Sequence, residues 1–197
     1  MIEFYINGNK VDVKIEDEET VGDVLNSFEE ICEENEASVI GIKVDGKTIT
    51  ADSFDEEAKK VLNYNEKFEF TIVTKKDIQD SFIMLSQLFS ELAEKMEEVP
   101  SELQNNRNVE VSDSIKKLAD SIDQFSHTAA LATLYPETFS DAKIDGLSFN
   151  DFFAEFSPVL KDFEEALQNN DTVMIGDLSE YEICPRLRSI SEALKKF

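Results

Sequence analysis

The sequence predicts an α+β protein: a strand-rich N-terminal module over residues 1–74, then an antiparallel four-helix bundle over residues 75–197. Three observations predict it. Apolar residues alternate with period two from Ile2 to Ile15 and again from Phe68 to Ile72, the period of half-buried strands. From Ile78 the apolar spacing becomes 4-3-4-3-4-3, through Phe82, Leu85, Phe89, Leu92, Met96 and Val99. The change falls at one junction, where the strand-like run Lys67–Thr74 passes straight into a helix-like run beginning at Lys75.

The first strand carries Ile2, Phe4 and Ile6 on one face, and Asn7-Gly8-Asn9 supplies hairpin chemistry because Gly and Asn tolerate positive φ. Val11, Val13 and Ile15 alternate in the returning strand. Thr20 can cap a helix whose apolar stripe is Val21, Val24, Leu25, Phe28 and Ile31 or Cys32. Val39, Gly41 and Lys43 alternate with Ile40, Ile42 and Val44. Asp45-Gly46 signals a second hairpin into Lys47-Thr48-Ile49. The acidic run from Asp52 to Glu57 starts a short helix ending near Leu62, and Phe68, Phe70 and Ile72 build the last strand.

This order of elements, ββαββ-helix-β, resembles the ubiquitin-like β-grasp fold. Carriers of that family end in a free Gly-Gly tail. Here Thr74-Lys75-Lys76-Asp77 stands in its place, so modifier or sulfur-carrier activity does not carry over. The resemblance implies an interaction platform, which is the fold's other common use.

The helical part begins with the seam from Ile78 to Val99, which Pro100 is expected to end, with Ser101 and Asn105-Asn106 in a loop. Val111, Ile115, Leu118, Ile122, Phe125, Ala129 and Ala132 repeat the spacing in a second helix, started by Ser112 or Asp113. Two seams joined by a short polar loop read as an antiparallel hairpin. After a loop through Pro136, with a turn at Asp145-Gly146, Ser148 or Asn150 caps a third helix. Its stripe is Phe149, Phe152, Phe153, Phe156, Val159, Leu160, Phe163 and Leu167. Asp171 caps a fourth, bearing Ile175, Leu178, Tyr181, Leu187, Ile190 and Leu194, and Pro185 should kink or split it after about Ile183. The short loops favour a bundle within one chain, and the alternative is seams that pair between two copies, so monomer and homodimer both stand.

The net charge is −24 and both parts share it: 19 acids against 7 bases in residues 1–74, and 24 against 12 in residues 75–197. Such a coat repels nucleic-acid phosphates and anionic lipid, so neither nucleic acid nor membrane is expected as a partner. Cys32 and Cys184 lie far apart with no CxxC, which suits a reducing compartment. Met1 leads directly into a strand-like run, and no apolar run approaches the roughly 18–20 residues that span a bilayer. A cytoplasmic location is expected.

His127 is the only histidine. Di-iron bundles need Glu-x-x-His on two helices and zinc sites need several Cys or His ligands, so no metal is expected. The six glycines never cluster into a phosphate loop, and there is no GxSxG. No cofactor and no catalytic residue are assigned. The segment Asp171–Pro185 stands out, because Asp177, Glu180 and Tyr181 share a helical face and Glu182 follows. Tyr181 is expected to be buried beside Leu178, with Asp177 near its hydroxyl or a capping amide. The pairs Asp177-Leu178 and Glu180-Tyr181-Glu182, with Pro185, resemble a segment near the C-terminus of small, acidic, helical bacterial proteins without assigned activity. The acidic helical character also resembles export and flagellar chaperones.

The expectation is a non-enzymatic protein-interaction module of bacterial type, an adaptor or scaffold that docks a protein partner through Asp177, Glu180, Tyr181 and Glu182. Its rivals are a secretion- or flagellar-type export chaperone, a hydrolase using only carboxylates and Tyr, and an acidic nucleic-acid mimic. A chaperone needs an exposed apolar groove, an enzyme a deep polar pocket around Asp177, Glu180 or His127, and a mimic a ribbon of carboxylates.

Overall fold

The computed structural model describes residues 2–105 and 108–197, with Asn108 and Glu110 described by their backbone alone. It is an α+β structure whose chain divides into two compact units, Met1–Asp77 and Ile78–Phe197.

The first unit is a mixed five-stranded sheet with two helices. β1 (Glu3–Ile6), β2 (Asn9–Val11), β3 (Ala37–Val44), β4 (Lys47–Thr48) and β5 (Lys67–Thr74) lie in the order β2-β1-β5-β3-β4. β1 and β5 run parallel, with Phe4 opposite Phe68, and the other pairs are antiparallel. Both hairpins turn as the sequence predicts: Asn7 and Gly8 take φ of 48° and 80°, Asp45 and Gly46 51° and 78°. Positive φ at both central residues matches the twist of the flanking strands.

β2 is shorter than the alternation suggests. Its ladder stops at Val11, yet Val13 and Ile15 still pack against the core without pairing. α1 (Val21–Glu34) starts in a capping box in which Thr20 Oγ1 accepts from the Asp23 amide (3.2 Å) and Asp23 accepts from the Thr20 amide (2.8 Å). It lays Val21, Val24, Leu25, Phe28 and Cys32 over Phe4, Val44, Phe68 and Phe70, and Phe28 stacks on Phe70 at 3.7 Å. α2 (Ala51–Glu57) ends well before Leu62, because the chain turns back to bond with the start of α1. The Gly22 amide donates to the Ala58 carbonyl at 2.9 Å and the Val21 amide to the Lys60 carbonyl at 2.9 Å. These carbonyls satisfy donors that a helix start leaves open.

Among the described residues the second unit holds seven helical segments: α3 (Lys75–Gln104), α4 (Asn108–Ala132), α5 (Pro136–Phe139), α6 (Phe149–Gln168), α7 (Thr172–Asp177), a π-helical segment (Leu178–Ile183) and α8 (Cys184–Leu194). The seam of α3 is buried at every predicted position from Ile78 to Val99. Pro100 does not end this helix, which runs on through Ser101 to Gln104. An interior Pro costs on the order of 3 kcal/mol. Here Pro100 packs against the backbone of Gly176 in α7, where a Cβ at Gly176 would sit 3.5 Å from Pro100 Cβ. Asn106 lies outside the described residues.

α4 starts at Asn108, earlier than Ser112 or Asp113. Its buried stripe is also rotated from the predicted one. Ser114, Ser121 and Thr128 join Val111, Leu118, Phe125 and Ala132 inside, while Ile115, Ile122 and Ala129 are half-buried. The hydroxyls go inside because their own helix satisfies them: Ser121 donates to the Lys117 carbonyl (2.6 Å) and Thr128 to that of Gln124 (2.9 Å). Ser148 caps α6 by accepting from the Asp151 amide (3.1 Å), and Asp171 caps α7 by accepting from the Met174 amide (3.0 Å).

Candidate functional site

An apolar groove of about 460 Å³ lies between the C-terminal half of α4, the single turn of α5 and the start of α6. Its walls are aromatic. Phe125 meets Phe149 edge-to-face at 5.1 Å and stacks on Phe153 at 5.0 Å. Ala129 and Ala132 of α4 open the space by their lack of bulk, and Phe139 closes the end at α5. Two local devices hold this shape. Pro136 starts α5 at a position where a missing N–H costs nothing. The turn at Asp145 (φ 51°) and Gly146 (φ 84°) pairs Ile144 with Leu147, and Ile144 is fully buried. The sequence predicts that turn inside a loop, and the structure adds the helical turn Pro136–Phe139. The helical turn of four residues is too short to leave a periodicity.

The polar atoms of the groove are hydroxyls and one amide side chain, and no titratable side chain lines it. Three of the four hydroxyls are engaged by their own chain. Ser126 donates to the Ile122 carbonyl (2.9 Å), Thr133 to that of Ala130 (2.6 Å), and Ser148 to the Asp151 carboxylate (2.6 Å). Of these acceptors only the Asp151 carboxylate is a titratable side chain. Such a lining is mostly apolar, with a few hydroxyls and one amide at its rim. Exposed acids adjoin the lining residues along the chain: Asp123, Glu137, Asp141 and Asp151, against His127 and Lys143.

The four residues singled out from sequence lie together on the α7–π–α8 stretch, away from the groove's lining. Tyr181 is not buried; it is 66% exposed. The cause is the π-helical segment. The Cys184 amide donates to the Ser179 carbonyl, five residues back, so the extra residue per turn rotates Tyr181 outward and puts Ile183 and Cys184 inside. Pro185 lies in the first turn of α8, which continues from the π-helical segment with helical backbone at Ile183 and Cys184. What changes after Ile183 is the helix type, where the sequence predicts a kink or split. A hydrogen bond to the Glu180 carboxylate, and then that group's charge, push the Tyr181 hydroxyl pKa up. Asp177 caps no amide. Glu182 is bound by Arg186, whose Nη1 donates to its carboxylate (2.6 Å) and to its backbone carbonyl (2.9 Å). The stretch thus presents Asp177, Glu180 and Tyr181, with Glu182 partly neutralised.

No group of three or more His, Cys, Asp or Glu side chains able to hold a metal occurs among the described residues. His127 is exposed on α4 and lies outside the groove's lining. Nor is any helix among the described residues long and apolar enough to cross a membrane.

Residues 80–193 match the model of a domain of unknown function, DUF8042. The chain belongs to that family. Both the groove and the α7–π–α8 stretch lie within the DUF8042 match. Residues 2–74 match the TP0873 N-terminal domain, and the gap between the two matches spans the passage from β5 into α3. An uncharacterized protein of Treponema pallidum (strain Nichols) is 24% identical over 189 residues, covering 96% of this chain and 94% of that relative. These matches place the DUF8042 chain in a family of uncharacterised bacterial proteins. No solved structure matches it.

Proposed function

We propose that this protein is a non-enzymatic, cytoplasmic protein-interaction module that holds an amphipathic helical segment of a partner in the groove between α4 and α6. The single observation behind this reading is the groove's composition: aromatic walls, an alanine floor and no titratable lining. That suits apolar anchor residues on a helix face. The acids around it favour a segment with basic flanks, and they add association rate more than affinity. On this reading the N-terminal sheet is a ubiquitin-like β-grasp platform, supported by the strand order β2-β1-β5-β3-β4 with a parallel central pair. The helical unit is an antiparallel four-helix bundle whose fourth member is the composite α7–π–α8.

Asp177, Glu180, Tyr181 and Glu182 form a second, weaker contact surface. The exposure of Tyr181 alongside Val173 (71%) and Met174 (40%) supports this. The export-chaperone reading is a specialised form of the same proposal, and the groove favours it equally. A photo-crosslinking amino acid placed at Ala130, on the groove's lip, tests both. A single crosslinked polypeptide that is lost when Ala129→Arg fills the floor is the expected result. Crosslinking unchanged by Ala129→Arg would remove the groove from the function. Glu180→Ala then tests the second surface, with weaker capture expected.

A further inference from the structure

We propose a second binding site in the N-terminal unit: the outer edge of β3 and the apolar groove beside it take an extended polypeptide segment as an added strand. The segment has alternating apolar side chains and basic flanks. This site lies wholly within residues 1–77 and does not depend on the helical groove.

Two independent observations meet there. The first is an unpaired edge. β4 pairs with β3 only at Lys43 and Val44, and the Ile49 amide reaches the Ile42 carbonyl at 2.9 Å. Upstream, Ser38–Gly41 pairs with β5 on one side and with no described strand on the other. Unpaired edges attract other strands, and proteins blunt them with Lys, Pro or a covering element. Ser-Val-Ile-Gly carries neither Lys nor Pro. A bulge between Val39 and Gly41 leaves Ile40 43% exposed at this edge.

The second observation is a groove of about 270 Å³ lined by Val39, Ile40 and Gly41 of that edge and by Ile42 after it. It is bounded by Leu25, Ile42, Ile49, Phe54 and Phe70. An added strand would point every second side chain into it while its backbone bonds to β3.

Charge selects the occupant. Glu29 lines the groove, and Glu30, Glu33 and Glu34 of α1 with Asp52 and Asp55 of α2 stand exposed nearby in the chain, against Lys43 on β3. Basic flanks on the segment complement them. A second copy of this chain would bring the same acids and a net charge of −24 to the edge, which opposes a strand-to-strand dimer.

The test uses the full-length, ¹⁵N-labelled protein and a synthetic peptide, acetyl-Lys-Lys-Val-Thr-Val-Thr-Val-Lys-Lys-amide. Amide shifts confined to Ser38–Ile42 and the groove residues are expected. N-methylation of the peptide's alternate residues, which removes strand-pairing donors but keeps the side chains, should weaken binding at least tenfold. Replacing its lysines by glutamates should abolish binding. Ile40→Arg, at an already exposed position, should weaken binding at least tenfold while leaving the rest of the spectrum unchanged. No shifts, shifts elsewhere, or equal binding of the N-methylated peptide would overturn the proposal. So would a concentration-dependent dimer that gives the same shifts without peptide.

Discussion

Glu66 shapes the loop that leads into β5. It is 7% exposed, and its carboxylate accepts from the amides of Asn63 (2.6 Å) and Asn65 (3.0 Å) while Tyr64 turns at φ 58°. Burial alone would raise its pKa, but the amide donors of Asn63, Glu66 and Asn65 outweigh burial and hold it below the ordinary glutamate value. A carboxyl lowered by folding stabilises the native state above its unfolded pKa and loses that contribution as pH falls through the folded one. Glu66→Gln should therefore cost about 1–3 kcal/mol in urea unfolding at pH 7. The difference from the parent should shrink below about pH 4.3. A constant difference down to pH 3 would show that the carboxylate's charge is irrelevant. Tyr181 makes the opposite case. Being exposed, it should tolerate Tyr181→Ala within about 0.5 kcal/mol, so loss of partner capture without loss of stability would assign it to docking.

At the scale of elements, the contact between α1 and the segment after α2 is tight enough to test. A Cβ on Gly22 would stand 2.9 Å from the Ala58 carbonyl oxygen and 3.0 Å from Ala58 Cβ. That oxygen is backbone, so α1 must move. Gly22→Ala should destabilise by about 1–3 kcal/mol despite the better helix propensity of Ala. A neutral or stabilising result would mean that α1 is loosely held.

Which elements could be read from the sequence follows from whether their cause is local. The two hairpins, the caps at Thr20, Ser148 and Asp171, and the α3 seam are encoded within a few residues of themselves, and each stands where the pattern places it. Pro100 departs from the local rule inside a helix that packs it against Gly176, far along the chain. The stripe of α4 differs from its apolar pattern because Ser121 and Thr128 are polar in sequence but bury once their own helix accepts their protons. The π-helical segment left one visible trace, Pro185. The extra residue in its turn changes the face of the residues between Leu178 and Ile183, and so puts Tyr181 on the surface where the α-helical pattern predicts core. The groove could not be read at all. Its walls come from three elements, and its emptiness comes from small side chains at Ala129 and Ala132.

Across the whole molecule, a net charge of −24 sets the response to salt. The ion pairs that could oppose it are mostly exposed, such as Lys10–Glu3 and Lys195–Glu192, and exposed pairs contribute little. Self-repulsion of like charges outweighs them. Raising NaCl from 10 to 300 mM should therefore raise the melting temperature, by about 2–4 °C for each kcal/mol of repulsion screened. A fall in melting temperature would mean that the ion pairs matter more than the coat.

The position of β5 has a consequence for how the chain is made. It is the sheet's central strand, lying between β1 and β3, yet it is the last of the five to be synthesised. Phe4 and Phe28 must wait for Phe68 and Phe70, their stacking partners. At roughly 5–20 residues per second, a ribosome takes several seconds to cross that interval. For those seconds the nascent hairpin β1–β2 and the helix α1 have no central strand to close on. The unfinished chain carries its acids from the start, on α1 and the loops on either side, and like charges repel.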